Sequence, residues 1–510
     1  MDESNKFIDY LGKKQKKKNK NYRRYQKQER VLNYNLKSKL IYESKKILNK
    51  MHYSKRKGDF HLFNKQNIKL FKKIKKEKLF SFSYINKSCI IFILILLLIL
   101  IFFKNDSDII IPNNLNIKVA FYFDSIRYGG IQRVMASLIN ILSVEKHFTI
   151  YLITRKGKSN DEYPLPNSTT RIILPEKRIS LYQALEIEHI DILIYNFFLK
   201  FEIERLNKIT TTKIIFYNHS SFFMWIYQNM FNIERTIYQS YKNSKYLLTL
   251  IPLENDYLFK KWGINSILID NPPTFDYNLV TPSDLSQKNI VLIGRSIDPY
   301  KRYYFGIKAM VNIIKEVPDC KMQILGSAND NLLKLIKELN LENYVNFTGF
   351  MNNIEPYLKN ASLHILSSFS ESYSLALSET KIFGIPSIIC GLDYLTLAKG
   401  GTVIIYDDNP DTIAKEAIKI LKDDKYRKKL GKEARESMKK HKNNLIMKKW
   451  KKILLAVYKG DDKSFKKLAD NTLTEKKAKK ILNNQFQLFI KRRPQFNRLS
   501  LEKFESFSFL

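Results

Sequence analysis

From Lys118 onward the chain alternates short apolar runs with longer stretches in which apolar residues recur every three or four positions. The runs KVAFYFD (118–124), FTIYLIT, RIILP, IDILIYN, KIIFYNH, YLLTLIP and SILIDNP read as strands. They are apolar on both faces, as parallel strands covered by helices on both sides must be. IQRVMASLINIL (131–142) has helical spacing and follows the first of them. Asn271, Pro272 and Pro273 interrupt the series, and residues 274–288 read as a linker. The rhythm restarts with NIVLIG (289–294) and continues through KMQILG, YVNFTGF, SLHILSS, PSIICG and TVIIYD. The pattern predicts an α/β protein: an N-terminal Rossmann-like domain over 117–273 and a C-terminal one over 289–442. Both are doubly wound and face a cleft where a ligand binds. Residues 443–459 form a terminal helix expected to pack back toward the N-terminal domain, and 460–510 read as a basic tail.

The chain ahead of these domains has another character. Of the formal net charge of +39, residues 1–88 hold +20, from 27 Lys and Arg against 7 Asp and Glu. This arm is read as largely disordered, suited to anionic lipid headgroups; nucleic acid is not the expected partner. Cys89–Phe103 is an unbroken apolar run of fifteen residues flanked by Lys87 and Lys104. As a helix it measures roughly 22 Å against a hydrocarbon core of ~30 Å, so it is read as a single transmembrane anchor for a thin bilayer. The charge excess puts its N-terminal side in the cytoplasm and the two domains on the lumenal or outer side, with a cytosolic facing as the alternative. Residues 104–116 are a stem. Asp106-Ser107-Asp108 has the spacing of a metal-binding DxD but falls in this stem, and Cys89, Cys320 and Cys390 are too far apart for a zinc site. No metal and no cofactor is expected.

Chemistry concentrates where strands end. Tyr128-Gly129-Gly130 joins the first strand to the first helix, and glycine there lets backbone approach a ligand at a helix mouth. His219, in YNHSS, follows a strand on the cleft side. IGRSIDPYKR (293–302) places Arg295 and Lys301 on a strand-end loop, where fixed cations hold a diphosphate. FSESYSLALSETKIFGIP (369–386) sets Glu371 eight positions before Glu379, one ahead of a short helix and one inside it. Ser372 and Ser374 are candidate caps for that helix, with Leu375 at its start. Asp407-Asp408 is read as the start of a later helix cap.

Together these motifs resemble the family 4 glycosyltransferases, retaining enzymes of the GT-B fold, over about Val119–Tyr458. The resemblance is strongest from Asn289 to His441. It implies an E-x7-E donor site in which Glu371 approaches the donor sugar hydroxyls and Glu379 the nucleotide ribose. Arg295 and Lys301 then match the basic pair on the diphosphate, Gly130 the glycine loop beneath it, and His219 a histidine near the reacting sugar. Ser374 and Leu375 join the donor-binding set. Ser372-Tyr373 stands where the family often has Gly-Phe, which leaves the donor sugar open.

The expected function is transfer of a sugar from a nucleotide diphosphate sugar to a glycan, lipid or protein acceptor, by a metal-independent hexosyltransferase. The competing readings are an inactive sugar- or nucleotide-binding scaffold, an epimerase on the same fold, and a nucleic-acid binder acting through the arm. Asn218-His219-Ser220 and Asn346-Phe347-Thr348 also fit the glycosylation acceptor pattern, the second on an expected buried strand.

Overall fold

The computed structural model describes residues 114–507, apart from 128, 198–199, 222, 225–237, 296–298, 352 and 470–472. The chain divides into two units, Met1–Asp108 and Ile109–Leu510. The basic arm, the apolar segment Cys89–Phe103, the Asp106–Asp108 motif and most of the stem lie outside the described residues. Among the described residues no helix is long and apolar enough to cross a membrane.

Every strand run singled out in the sequence is a strand. The first series forms β1 (Ile117–Phe123), β2 (Phe148–Thr154), β3 (Thr170–Ile173), β4 (Ile192–Tyr195), β5 (Lys213–Tyr217), β6 (Tyr246–Thr249) and β7 (Ser266–Leu268). The second forms β8 (Asn289–Ile293), β9 (Lys321–Leu325), β10 (Val345–Phe347), β11 (Leu363–Leu366), β12 (Ser387–Cys390) and β13 (Thr402–Ile405). The sheet orders are β3-β2-β1-β4-β5-β6-β7 and β10-β9-β8-β11-β12-β13, and all the pairings are parallel. In each sheet the chain reverses direction beside its first strand, between β1 and β4 and between β8 and β11. The C-terminal ends of the strands at such a reversal open a crevice, because the connections on either side leave in opposite directions.

Six helices matter for the site: α1 (Gly130–Ser143), α2 (Tyr303–Glu316), α3 (Leu375–Ile382), α4 (Pro410–Lys422), α5 (Asn443–Lys459) and α6 (Glu475–Phe507). α1 buries Val134, Met135, Leu138, Ile139 and Leu142, the stripe that its spacing predicts. α5 continues from the second domain and lies against the first. Its fully buried Trp450 meets the Tyr217 ring edge-on at 5.4 Å, and Lys451 pairs with Glu145 at 2.6 Å. Burial of a large apolar side chain contributes about 1.5–3 kcal/mol, so this single helix ties the two domains firmly.

Three expectations need correction. Residues 460–510, read only as a basic tail, include the helix Asp462–Lys467 and the long α6. Asn346 is exposed on the edge strand β10, not buried. Asp408 caps no helix: Asn409 caps α4 by accepting from the Asp411 amide, and the Asp408 carboxylate is gripped by Arg302 and Arg492.

Candidate active site

The residues singled out between β8 and α3 converge at the crevice of the second sheet. β8 ends at Ile293, Gly294 follows it, and a 3-10 turn, Pro299–Lys301, precedes α2. The Tyr300 carbonyl accepts from the Phe369 amide at 2.6 Å, and the Lys301 carbonyl accepts from Ser367 Oγ at 2.8 Å. These bonds lock the turn to the segment that follows β11. The Lys301 ammonium consequently meets Glu371 Oε1 at 2.7 Å, an ion pair of partly exposed groups. Close packing at the sheet end depends on Gly326, since a Cβ there would lie 2.1 Å from the Gly294 carbonyl oxygen.

Glu379 lies deeper, one turn into α3, and is almost wholly buried. A carboxylate so placed needs partners, and among the described residues Arg133 and Thr274 supply them. Arg133, from α1 of the first domain, reaches Oε1 at 3.1 Å, and Thr274 Oγ1 donates to the same atom at 2.7 Å. Ser374 is the cap of α3: its hydroxyl accepts from the Leu377 amide at 3.4 Å. Its backbone is in the left-handed region, φ 67°, which disfavours a residue other than glycine. Ser372 is not the cap.

The first domain faces this array with the mouth of α1. Gly129 caps that helix at φ 107°, and a Cβ on it would come within 2.8 Å of Gln132 Oε1. Gly130 approaches Leu375, since a Cβ on Gly130 would lie 3.9 Å from Leu375 Cδ1. The N-terminal ends of α1 and α3, each with a partial positive charge, therefore approach one another across the cleft. Tyr163 donates to the Gly129 carbonyl at 3.4 Å, and burial, opposed by the charge of Arg133, raises its phenol above the ordinary range. Arg295 follows β8 with its side chain exposed.

His219 follows β5, buried, with its ring 4.0 Å from that of Tyr217. Burial pushes its imidazole down to about 3, so it is neutral at physiological pH, and Nε2 has no hydrogen-bond partner among the described residues. The loop carrying it is fixed at both ends. Asn218 Nδ2 donates to Glu254 at 2.8 Å and to the Tyr241 hydroxyl at 2.7 Å. Ser221 Oγ meets Ser370 Oγ, next to Glu371, at 2.5 Å. The structure therefore brings His219 to the domain junction but gives it no contact with Glu371 or Lys301. Among the described residues no group of three or more His, Cys, Asp or Glu is arranged to hold a metal ion.

Sequence reasoning missed Arg133 and Tyr394. Arg133 is a cation on the cleft end of an otherwise apolar helix, three residues past Gly130, and that was its signal. Tyr394 receives the Glu371 amide on its hydroxyl at 3.1 Å and lies 3.2 Å from Ser370 Oγ. It gave no local signal, since its partners are 23 and 24 residues away.

Residues 282–437 match the family described as Glycosyl transferases group 1. The chain is 31% identical over 144 residues to N-acetyl-alpha-D-glucosaminyl L-malate synthase of Bacillus anthracis, covering 27% of this chain and 37% of the relative. It is 25% identical over 358 residues to N-acetylgalactosamine-N,N'-diacetylbacillosaminyl-diphospho-undecaprenol 4-alpha-N-acetylgalactosaminyltransferase of Campylobacter jejuni, covering 61% of this chain and 92% of the relative. The first curated relatives are matched over less than half of their own length. In fold the chain is similar to Anabaena Alr3699/HepE in complex with UDP and glucose, at TM-score 0.54 and 15% identity, covering 67% of this chain and 100% of that one. The two parallel Rossmann-like sheets are of GT-B type, and the stretch carrying Lys301, Glu371 and Glu379 is the part of the chain similar to the group 1 glycosyl transferases.

Proposed function

We propose that the cleft transfers a sugar from a nucleotide diphosphate sugar to a glycan, lipid or protein acceptor, with retention of the anomeric configuration. The observation that carries this reading is the opposed pair of contacts, Lys301 on Glu371 and Arg133 on Glu379, at the strand ends where the two helix mouths meet. A donor laid there has its diphosphate beside Lys301, Arg295 and the mouths of α1 and α3, where fixed positive charge stabilises the departing nucleotide diphosphate as negative charge builds on it. Those groups give the reaction a metal-independent route. Glu371 accepts from hydroxyls of the donor sugar, and Glu379 from the ribose of the nucleotide. His219, neutral and with a free ring nitrogen, offers a hydrogen bond near the reacting sugar and contributes no charge. Leu375 and Ser374 line the approach, and Gly129 and Gly130 admit the donor backbone-close.

Support for a uridine nucleotide comes from HepE, which is seen with UDP and glucose, and support for a sugar of the hexosamine type comes from the two relatives' names. Anchoring through Cys89–Phe103, with headgroup contacts from the arm and the two domains on the lumenal or outer side, completes the proposal. The test is a donor panel of uridine, guanosine and adenosine diphosphate sugars offered to the full chain in detergent, with the product anomer read by NMR. Transfer or slow donor hydrolysis with α-configured product supports the reading; none from any donor contradicts it.

A further inference from the structure

Helix α6 begins well past the two domains in sequence, yet its Arg492 is wholly buried beneath the site. Arg492 Nε and Nη2 donate to the two oxygens of Asp408 at 2.5 and 2.7 Å. Its Nη1 donates to the Phe369 carbonyl at 3.0 Å, and Nη2 also reaches the Cys390 carbonyl at 3.2 Å. Arg302 grips the same carboxylate at 2.8 and 3.1 Å and donates from Nε to the Ser367 carbonyl at 2.9 Å. Arg302 and Asp408 both hold a backbone φ of 48°, a left-handed conformation that needs such support in residues other than glycine. Arg302 directly follows Lys301, and Phe369 stands two residues before Glu371. One buried cluster thus fixes the backbone on each side of the Lys301–Glu371 pair.

A second connection runs parallel to it. Gln485 of α6 donates to the Gly391 carbonyl at 2.5 Å and to Asp393 at 2.8 Å, and Asn484 donates to the other Asp393 oxygen at 2.8 Å. The next residue is Tyr394, whose hydroxyl holds the Glu371 amide. α6 also seats against Gly391 so closely that a Cβ there would lie 2.3 Å from Leu488 Cδ1.

We infer that α6 is a built part of the donor site, with Arg492 as a positioning residue that sets Lys301 and Glu371 through Asp408, Arg302 and the Phe369 carbonyl. What the site binds rests on the function proposed above; the mechanical coupling does not. The planar guanidinium makes these bonds in fixed directions, which a lysine ammonium cannot reproduce even with its charge kept. The test uses the full chain carrying Arg492→Lys, followed by hydrogen exchange and by donor kinetics. Exchange of the amides in residues 367–374 should speed up at least tenfold while those of β1 and β2 hold steady. Donor KM should rise fivefold or more with kcat within twofold. Unchanged exchange at 367–374, or an unchanged donor KM, overturns the inference. If Arg492→Lys melts far below the parent, Gln485→Ala replaces it and must accelerate exchange at 391–394 and at the Glu371 amide; no acceleration overturns the inference. A parent chain that transfers no sugar refutes the functional reading, and the exchange result then decides the role of α6.

Discussion

Arg133 of the first domain and Glu379 of the second meet at 3.1 Å, with the carboxylate buried and the guanidinium partly exposed. A buried carboxylate that loses its cation keeps the cost of desolvation, about 3–5 kcal/mol when one partner of such a pair is removed. Thr274 donates to the same oxygen and offsets part of that loss. Arg133→Met is therefore expected to destabilise the chain by about 2–3 kcal/mol in urea unfolding and to weaken donor binding. Arg133→Met combined with Glu379→Gln should cost less than the sum of the two, with a coupling of about 1–3 kcal/mol. Strict additivity would show that the two groups do not act on each other in solution.

Glu371 is held by Lys301 on its side chain and by Tyr394 on its backbone. Glu371→Gln preserves shape and the Tyr394 contact but removes the charge. Transfer should fall about 100-fold, the range seen when one preorganised electrostatic group is lost from a reaction site. The melting temperature should stay within a few degrees, because the pair is partly exposed and such pairs contribute little to stability. Steady-state kinetics and a thermal melt on the same preparation check both halves.

Gly129 caps α1 at φ 107°. Alanine there meets both an unfavourable backbone region and the Gln132 side chain 2.8 Å from its Cβ. Gln132 is flexible and can turn away, so the backbone term decides. Gly129→Ala should lower stability by about 1–2 kcal/mol and raise donor KM, since the mouth of α1 must shift. Binding isotherms and urea unfolding of the variant check this. An unchanged KM would remove the glycine turn from the donor site.

Glu254 is fully buried and accepts from Asn218 and from the Tyr241 hydroxyl on one oxygen. Burial outweighs those bonds and pushes its carboxyl up to about 7 from an ordinary 4.5. A carboxyl raised on folding favours the native state below 4.5, and that advantage is lost as pH rises through 7. The loss is of order 3 kcal/mol. Unfolding free energy should therefore fall between pH 5 and 7.5 in the parent chain and fall less in Glu254→Gln. Parallel pH profiles would show that Glu254 is charged throughout.

Much of this architecture was legible because parallel strands buried on both faces leave continuous apolar runs, and each run from KVAFYFD to TVIIYD became a strand. Lys301, Glu371, Ser374 and Glu379 were legible for a related reason: all lie in loops or helix starts directly after strands of one sheet. Arg133 was hidden because its partner is 246 residues away and only the approach of the two domains joins them. α6 was hidden by composition. Its lysines mask the helical period, and the burial of Arg492 depends on Asp408, which looked like a cap. The sequence therefore exposed what each domain fixes locally and concealed what depends on parts meeting at a distance.

We propose above that this cleft holds a nucleotide diphosphate on Lys301. Calorimetric titration of UDP, GDP and ADP into the full chain and into Lys301→Met tests it most directly. One of the three should saturate the parent chain and bind Lys301→Met at least tenfold more weakly, with both proteins equally folded. No binding to the parent, or equal affinity for the two chains, would contradict it.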